Sequence, residues 1–114
     1  MTPEEFADFF QAVVESHRTV VGLVQLTLFT AHLTDVRREE LLSAVGDVLA
    51  LIREMRAALV HEGVEWRREP VGFLERQEQH LGSLIDRWTR ISWHLRDSQW
   101  ESVATMVDEL REAI

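Results

Sequence analysis

Apolar residues return every three or four positions from Phe6 to Ile114, and no stretch alternates apolar with polar as a half-buried strand would. That spacing lines one side of an α-helix, so the chain can bury its apolar residues only by packing helix against helix. Start signals divide the pattern into four. Thr2-Pro3-Glu4-Glu5 sets a capping threonine, a proline at the first helical position and a glutamate at the capping-box position. The stripe that follows, Phe6, Phe10, Val13, Val20, Val24, Leu28 and Ala31, runs to about Leu33. Asp35 reads as the next N-cap, ahead of Leu41, Val45, Val48, Ile52, Met55 and Leu59, with Gly63 as a left-handed stop.

Pro70 opens a third helix whose inner face is Leu74, Leu81, Leu84, Ile85, Trp88, Ile91 and Leu95. Asp97 and the box Ser98-Gln99-Trp100-Glu101 open a fourth, with Val103, Met106, Val107, Leu110 and Ile114 inward. The three connections are short, so successive helices run antiparallel. The expected fold is all-α: a four-helix up-down-up-down bundle of two helical hairpins with a short helix four. At 114 residues the chain makes a single domain over 1–114.

Charge and composition remove several classes of function. Twenty acids against twelve bases give a net charge of -8, which opposes direct binding to nucleic acid or anionic lipid. There is no cysteine, so no disulfide or thiolate chemistry is available. All twelve bases are arginine, and lysine, asparagine and tyrosine are absent, a bias that points to a GC-rich coding source of bacterial or phage type. Glu4, Glu5 and Asp8 stand where a secretion signal needs positive charge. The uncharged stretch Thr19 to Thr34 is broken by Gln25 and His32 and is too short for a membrane span. A cytoplasmic location without membrane contact is expected.

Helix lengths leave apolar surface over. Helix one, of about thirty residues, spans roughly 45 Å, and helix four, of about sixteen, roughly 24 Å. The far pole, with Phe6, Phe9, Phe10, Phe73 and Trp66, is therefore enclosed by three helices and a linker, either as a closed core or as an apolar end open to a partner or ligand. On helix one itself, Gly22, Leu26, Phe29 and Leu33 fall opposite the main stripe. One face of a bundle cannot bury both sets, which makes this second set a dimer or partner interface. Trp93 also projects off the inner face of helix three, and with Arg90 and Arg96 nearby it has the composition of an interface hot spot.

Chemistry is sparse. His17 and Gln77 are the two clear polar interruptions of the inner stripes. Counted back from the helix ends they share a layer, as a buried hydrogen-bonded pair or, with His80 and Glu54 or Asp108, a metal or catalytic site. His32-Leu33-Thr34-Asp35 and His94-Leu95-Arg96-Asp97 repeat at one pole, as turn chemistry or as a His/Asp cluster. No histidine has a glutamate three positions before it, and no His-x-x-x-His pair occurs, so neither a di-iron nor a simple helical zinc motif is present. Phosphate-binding glycine loops, serine elbows and dinucleotide fingerprints are missing too, and no cofactor is expected. Arg56 with His61 and Arg87 with His94 meet the arginine-to-histidine spacing used by the HEPN ribonucleases, a spacing that chance supplies about as often.

The expected function is a small acidic, non-enzymatic protein–protein interaction module (an adaptor, inhibitor or chaperone-like bundle) with a protein partner or itself, as a homodimer, for company. One alternative is an acidic nucleic-acid mimic that blocks a DNA- or RNA-binding protein through Glu101, Asp108, Glu109 and Glu112. The other is a HEPN-like ribonuclease or metal-binding bundle.

Overall fold

A computed structural model describes residues 2–30, 33–61 and 73–112, with the side chains of 73 and 74 excepted. It contains four helices, α1 (Pro3–Thr30), α2 (Asp35–His61), α3 (Phe73–Arg96) and α4 (Trp100–Arg111), and no strand among the described residues. Each helix packs on the one before and the one after, and α4 closes back on α1. Across the diagonals no Cα atoms approach within 8 Å. This is the four-helix bundle that the periodicity demands, drawn out to 50 × 19 × 19 Å.

The inward stripes lie where their spacing puts them. All six predicted residues of α2 are buried, as are Phe6, Val13, Val20 and Val24 of α1, and Leu81, Leu84, Trp88, Ile91 and Leu95 of α3. Val103, Val107 and Leu110 serve α4. Val14 and Val21 are buried as well, which widens the stripe of α1 towards one flank. Gln25 on that same flank donates to the Asp108 carboxylate of α4 at 2.8 Å, so the widened side is the one α4 covers. The twelve residues of α4 extend about 18 Å, against about 42 Å for the 28 of α1. The bundle is thus four helices thick around the C-terminal half of α1 and three thick around its N-terminal half.

Helix ends show where local chemistry departs from expectation. Thr2 caps α1 as read, its hydroxyl accepting the Glu5 amide at 3.1 Å. The cap of α2 is Thr34 rather than Asp35: the Thr34 hydroxyl accepts the Arg37 amide at 3.2 Å, and its carbonyl takes the Arg38 amide. Asp35 becomes the first helical residue, where a carboxylate favours the helix dipole without capping. The box expected at α4 does not form, since Gln99 is its N-cap and makes no side-chain cap bond. Instead the Gln99 amide reaches the His94 carbonyl and the Ser98 amide the Leu95 carbonyl, the paired bonds of a Schellman stop for α3. That motif needs a left-handed residue, and Ser98 supplies it at φ 55°. Its hydroxyl is taken by the Arg38 guanidinium at 3.2 Å, which ties the α3–α4 turn to the start of α2. The proposed starts and stops at Gly63 and Pro70 lie outside the described residues.

A serine held left-handed costs about 1 kcal/mol relative to glycine. Ser98→Gly should therefore raise the unfolding free energy by about that amount, read from the urea midpoint at constant slope, and Thr34→Ala should lower it by about 1 kcal/mol. A Ser98→Gly protein less stable than the parent would show that the Arg38 hydrogen bond outweighs the backbone cost.

Candidate functional site

Among the described residues the three most exposed large apolar side chains, Phe29, Val36 and Leu26, lie on α1 and the start of α2. Phe29 is 87% exposed, Val36 68%, Leu26 62% and Leu23 42%. Gly22 is exposed on the same face and Leu33 is half-buried at its end. The cause is geometric. Leu26 and Phe29 sit opposite the buried stripe, and each helix of an antiparallel bundle has neighbours on two sides only, so nothing within the chain reaches them. Above Gly22 the space is empty, with no heavy atom within 4 Å of where a Cβ would stand. Val36, in the first turn of α2, is likewise exposed.

Trp93 is 57% exposed, in the groove between α2 and α3. Arg53 and Arg96 flank it, with Glu39 and the uncrowded Gly46 along the α2 wall. At the phenylalanine pole, Phe6 is buried and stacks on Phe10 with ring centroids 6.3 Å apart, while Phe9 and Phe10 pack half-buried against the core. The Phe73 side chain and Trp66 lie outside the described residues.

The buried polar pair is not His17 with Gln77. His17 is buried, 1% exposed, but its Nδ1 accepts the indole N–H of Trp88 at 3.2 Å, and the two rings meet edge to face. Gln77 is half-buried and lies elsewhere on α3. Counting layers from the ends treats α1 and α3 as level. Thr30 lies thirteen residues beyond His17 and Arg96 eight beyond Trp88, so the helices are offset by roughly 8 Å. Trp88 was read as an apolar core residue, which it is, fully buried; its single N–H is what answers the histidine.

That bond fixes the ring chemistry. Indole nitrogen only donates, so Nδ1 of His17 must be bare, and the neutral ring carries its proton on Nε2. Nε2 makes no hydrogen bond of proper geometry. Burial lowers the His17 pKa to about 4, against a lift from the backbone carbonyl of Leu110 and with smaller reductions from Arg18 and His80. Neither Glu54 nor Asp108 bonds the ring, and among the described residues no three His, Asp or Glu side chains converge on a point where a metal could sit.

The other chemical readings are dispersed in space. Arg56 and His61 line one shallow depression, where Arg56 faces Glu78 at 3.7 Å. His94 is half-buried and its carbonyl is spent in the Schellman stop. His32 lies outside the described residues; of the two aspartates of the repeated motif, Asp35 is exposed beside Arg38 and Asp97 is the first residue of the α3–α4 turn. Of the acidic row on α4, Glu101 and Glu109 stand along one depression, Asp108 is held by Gln25 and Glu112 faces Arg111 at 3.5 Å. Among the described residues no helix is long and apolar enough to cross a membrane. Compared with known proteins, the chain matches no protein-family model, no curated protein and no solved structure.

Because the folded-state pKa of His17 lies below the unfolded value of 6.5, the unfolded chain takes up the proton first. Its neutral form stabilises the fold in full above pH 6.5, and this contribution falls away as pH drops towards about 4, by about 3 kcal/mol in all. Urea titrations from pH 7.5 to 4 should show this loss in the parent and its absence from the difference curve's His17→Leu arm. Equal pH slopes for the two proteins would mean that His17 titrates normally.

Proposed function

We propose that this chain is a non-enzymatic helical interaction module that works as a homodimer through the C-terminal half of α1. The observation that carries the reading is Phe29, a phenylalanine 87% exposed in the last turn of α1, with the exposed Leu26 one turn before it. Exposed apolar clusters of this kind mark contact surfaces.

Charge favours a second copy as the occupant. The molecule carries a net charge of -8, and α2, α3 and α4 each bear acids along their outer faces, so most encounters between copies are repulsive. From Thr19 to Thr34 the sequence has no charged residue at all. Two copies that meet along this stretch bring no like charges together. A two-fold axis near Leu26 sets Phe29 of each copy against Gly22 of the other, because the two positions are seven residues, or about 10 Å, apart on one face. The empty space over Gly22 then receives a ring. Burial of a phenylalanine contributes about 2 kcal/mol, twice over in a symmetric pair.

Light scattering across a concentration series should give the mass of a dimer. Phe29→Asp should keep the helical circular dichroism and weaken association roughly a thousandfold, the equivalent of about 4 kcal/mol. A parent protein of monomer mass at all concentrations would overturn the homodimer, as would a Phe29→Asp protein that dimerises as well as the parent.

A further inference from the structure

A groove of ≈ 580 Å³ runs between α2 and α3, with Leu42, Ser43 and Gly46 on one wall and Thr89, Ser92 and Trp93 on the other. We propose that it is a docking site for an acidic amphipathic helix of a partner protein, whose aliphatic side chains pack on Trp93 and over Gly46 while carboxylates at its two ends meet Arg53 and Arg96.

Three observations converge on this groove. The first is an aromatic ring that the fold leaves out: Trp93 is 57% exposed, although Trp88 on the same helix is fully buried. A half-covered indole beside arginines has the make-up of a contact residue that carries binding energy. The second is relief. Gly46 lies in the interior of α2, where glycine weakens a helix relative to alanine, and no heavy atom lies within 4 Å of a Cβ built there. Ser43, Thr89 and Ser92 are small as well, so a helix laid beside the indole can come close to the backbone of both walls. The third is charge. Neither Arg53 nor Arg96 takes part in an ion pair or a hydrogen bond among the described residues. Glu39, the acid that lines this groove, faces Arg38 at 3.9 Å. In the next depression along the same two helices the guanidinium of Arg56 is already answered, by Glu78 at 3.7 Å.

The class of partner follows from where these charges stand. Arg38 on Ser98 and Arg56 on Glu78 fix the antiparallel register of α2 and α3. In that register Arg53 and Arg96 lie at opposite ends, about 20 Å apart along the groove, with Trp93 between them. A helix spans that distance in about fourteen residues, or two heptads, so carboxylates at its two ends share one face with the aliphatic residues between them. The net charge of -8 does not keep an acidic helix away, because charges farther than ~8 Å are largely screened at physiological salt and the unpaired groups at hand are cationic. No residue of α1 lines the groove, so the proposal does not rest on the homodimer.

The test is a titration of the ¹⁵N-labelled protein with a synthetic peptide of about eighteen residues, leucine at three-and-four spacing and glutamate elsewhere, followed by ¹H–¹⁵N chemical shifts. Saturable shifts are expected at the Trp93 indole N–H and at the Ser43, Gly46 and Ser92 amides. Trp93→Ala should weaken binding about thirtyfold. Arg53→Glu combined with Arg96→Glu should weaken it about tenfold, whereas Arg53→Lys combined with Arg96→Lys should stay within about threefold of the parent. The Phe29→Asp protein should bind the peptide as the parent does, which separates this groove from the homodimer. Shifts centred on Leu26 and Phe29 in place of Trp93 would overturn the proposal. So would arginine reversals with unaltered affinity, or a version of the peptide with lysine for glutamate that binds the groove more tightly than the acidic one.

Discussion

Everything around the centre of this bundle is arranged about one hydrogen bond, from the Trp88 indole to Nδ1 of His17. α1 and α3 are diagonal partners whose backbones do not come within 8 Å, so only two long side chains meeting in the middle can join them. A tryptophan and a histidine do this at the level where α4 stops and the bundle thins from four helices to three. The pair fills the width of the core with two rings and satisfies the indole N–H, which would otherwise be stranded in an apolar interior. It also sets the offset between the two hairpins, because a shift of either helix would separate the rings. The cost is a neutral histidine whose remaining N–H faces the end of α4.

Outside the core, the distribution of charge separates surfaces that face water from those that need not. α2 carries Arg37, Glu39 and Glu40 exposed in its first turns, with Arg37 paired to Glu40, charges that contribute solubility more than stability. α3 and α4 also carry charged residues at exposed positions. The C-terminal half of α1 is the exception, a helical segment with threonines, leucines and a phenylalanine outward. Its threonines do not compete for partners, since Thr19, Thr27 and Thr30 return their hydroxyls to carbonyls of the preceding turn. That leaves the face with few polar groups seeking water, which lowers the desolvation cost of covering it.

The architecture was legible because helical periodicity and capping chemistry are local. Among the described residues the apolar stripes landed inward, with Phe10, Leu28, Ile85 and Met106 partly buried at their edges, and Leu26, Phe29 and Trp93 stood out as residues that their own helices could not bury. What local reading missed was set by geometry between helices. The partner of His17 depends on the offset of α1 against α3, which no spacing within either helix encodes. Thr34 and Asp35 are both good caps one residue apart, and the choice depends on which hydroxyl or carboxylate reaches the amide of the first turn. Ser98 was read as a cap because serine favours that role; the left-handed stop of α3 claimed it first, and Arg38 from another helix then took its hydroxyl.

Two glycines supply the last step. Gly22 and Gly46 lie well inside α1 and α2, where each costs about 1 kcal/mol relative to alanine. Neither is required by the fold: no heavy atom lies within 4 Å of a Cβ built at either position, and neither has a backbone conformation closed to other residues. Their common property is location. Gly22 opens the face that holds Leu26 and Phe29, and Gly46 lies along the groove that holds Trp93. A missing side chain beside an exposed aromatic ring makes a hollow next to a knob, the relief by which one helix surface engages another. The helix stability given up at Gly22 supports the dimer proposed at the uncharged face of α1, and Gly46 leaves the same relief beside Trp93.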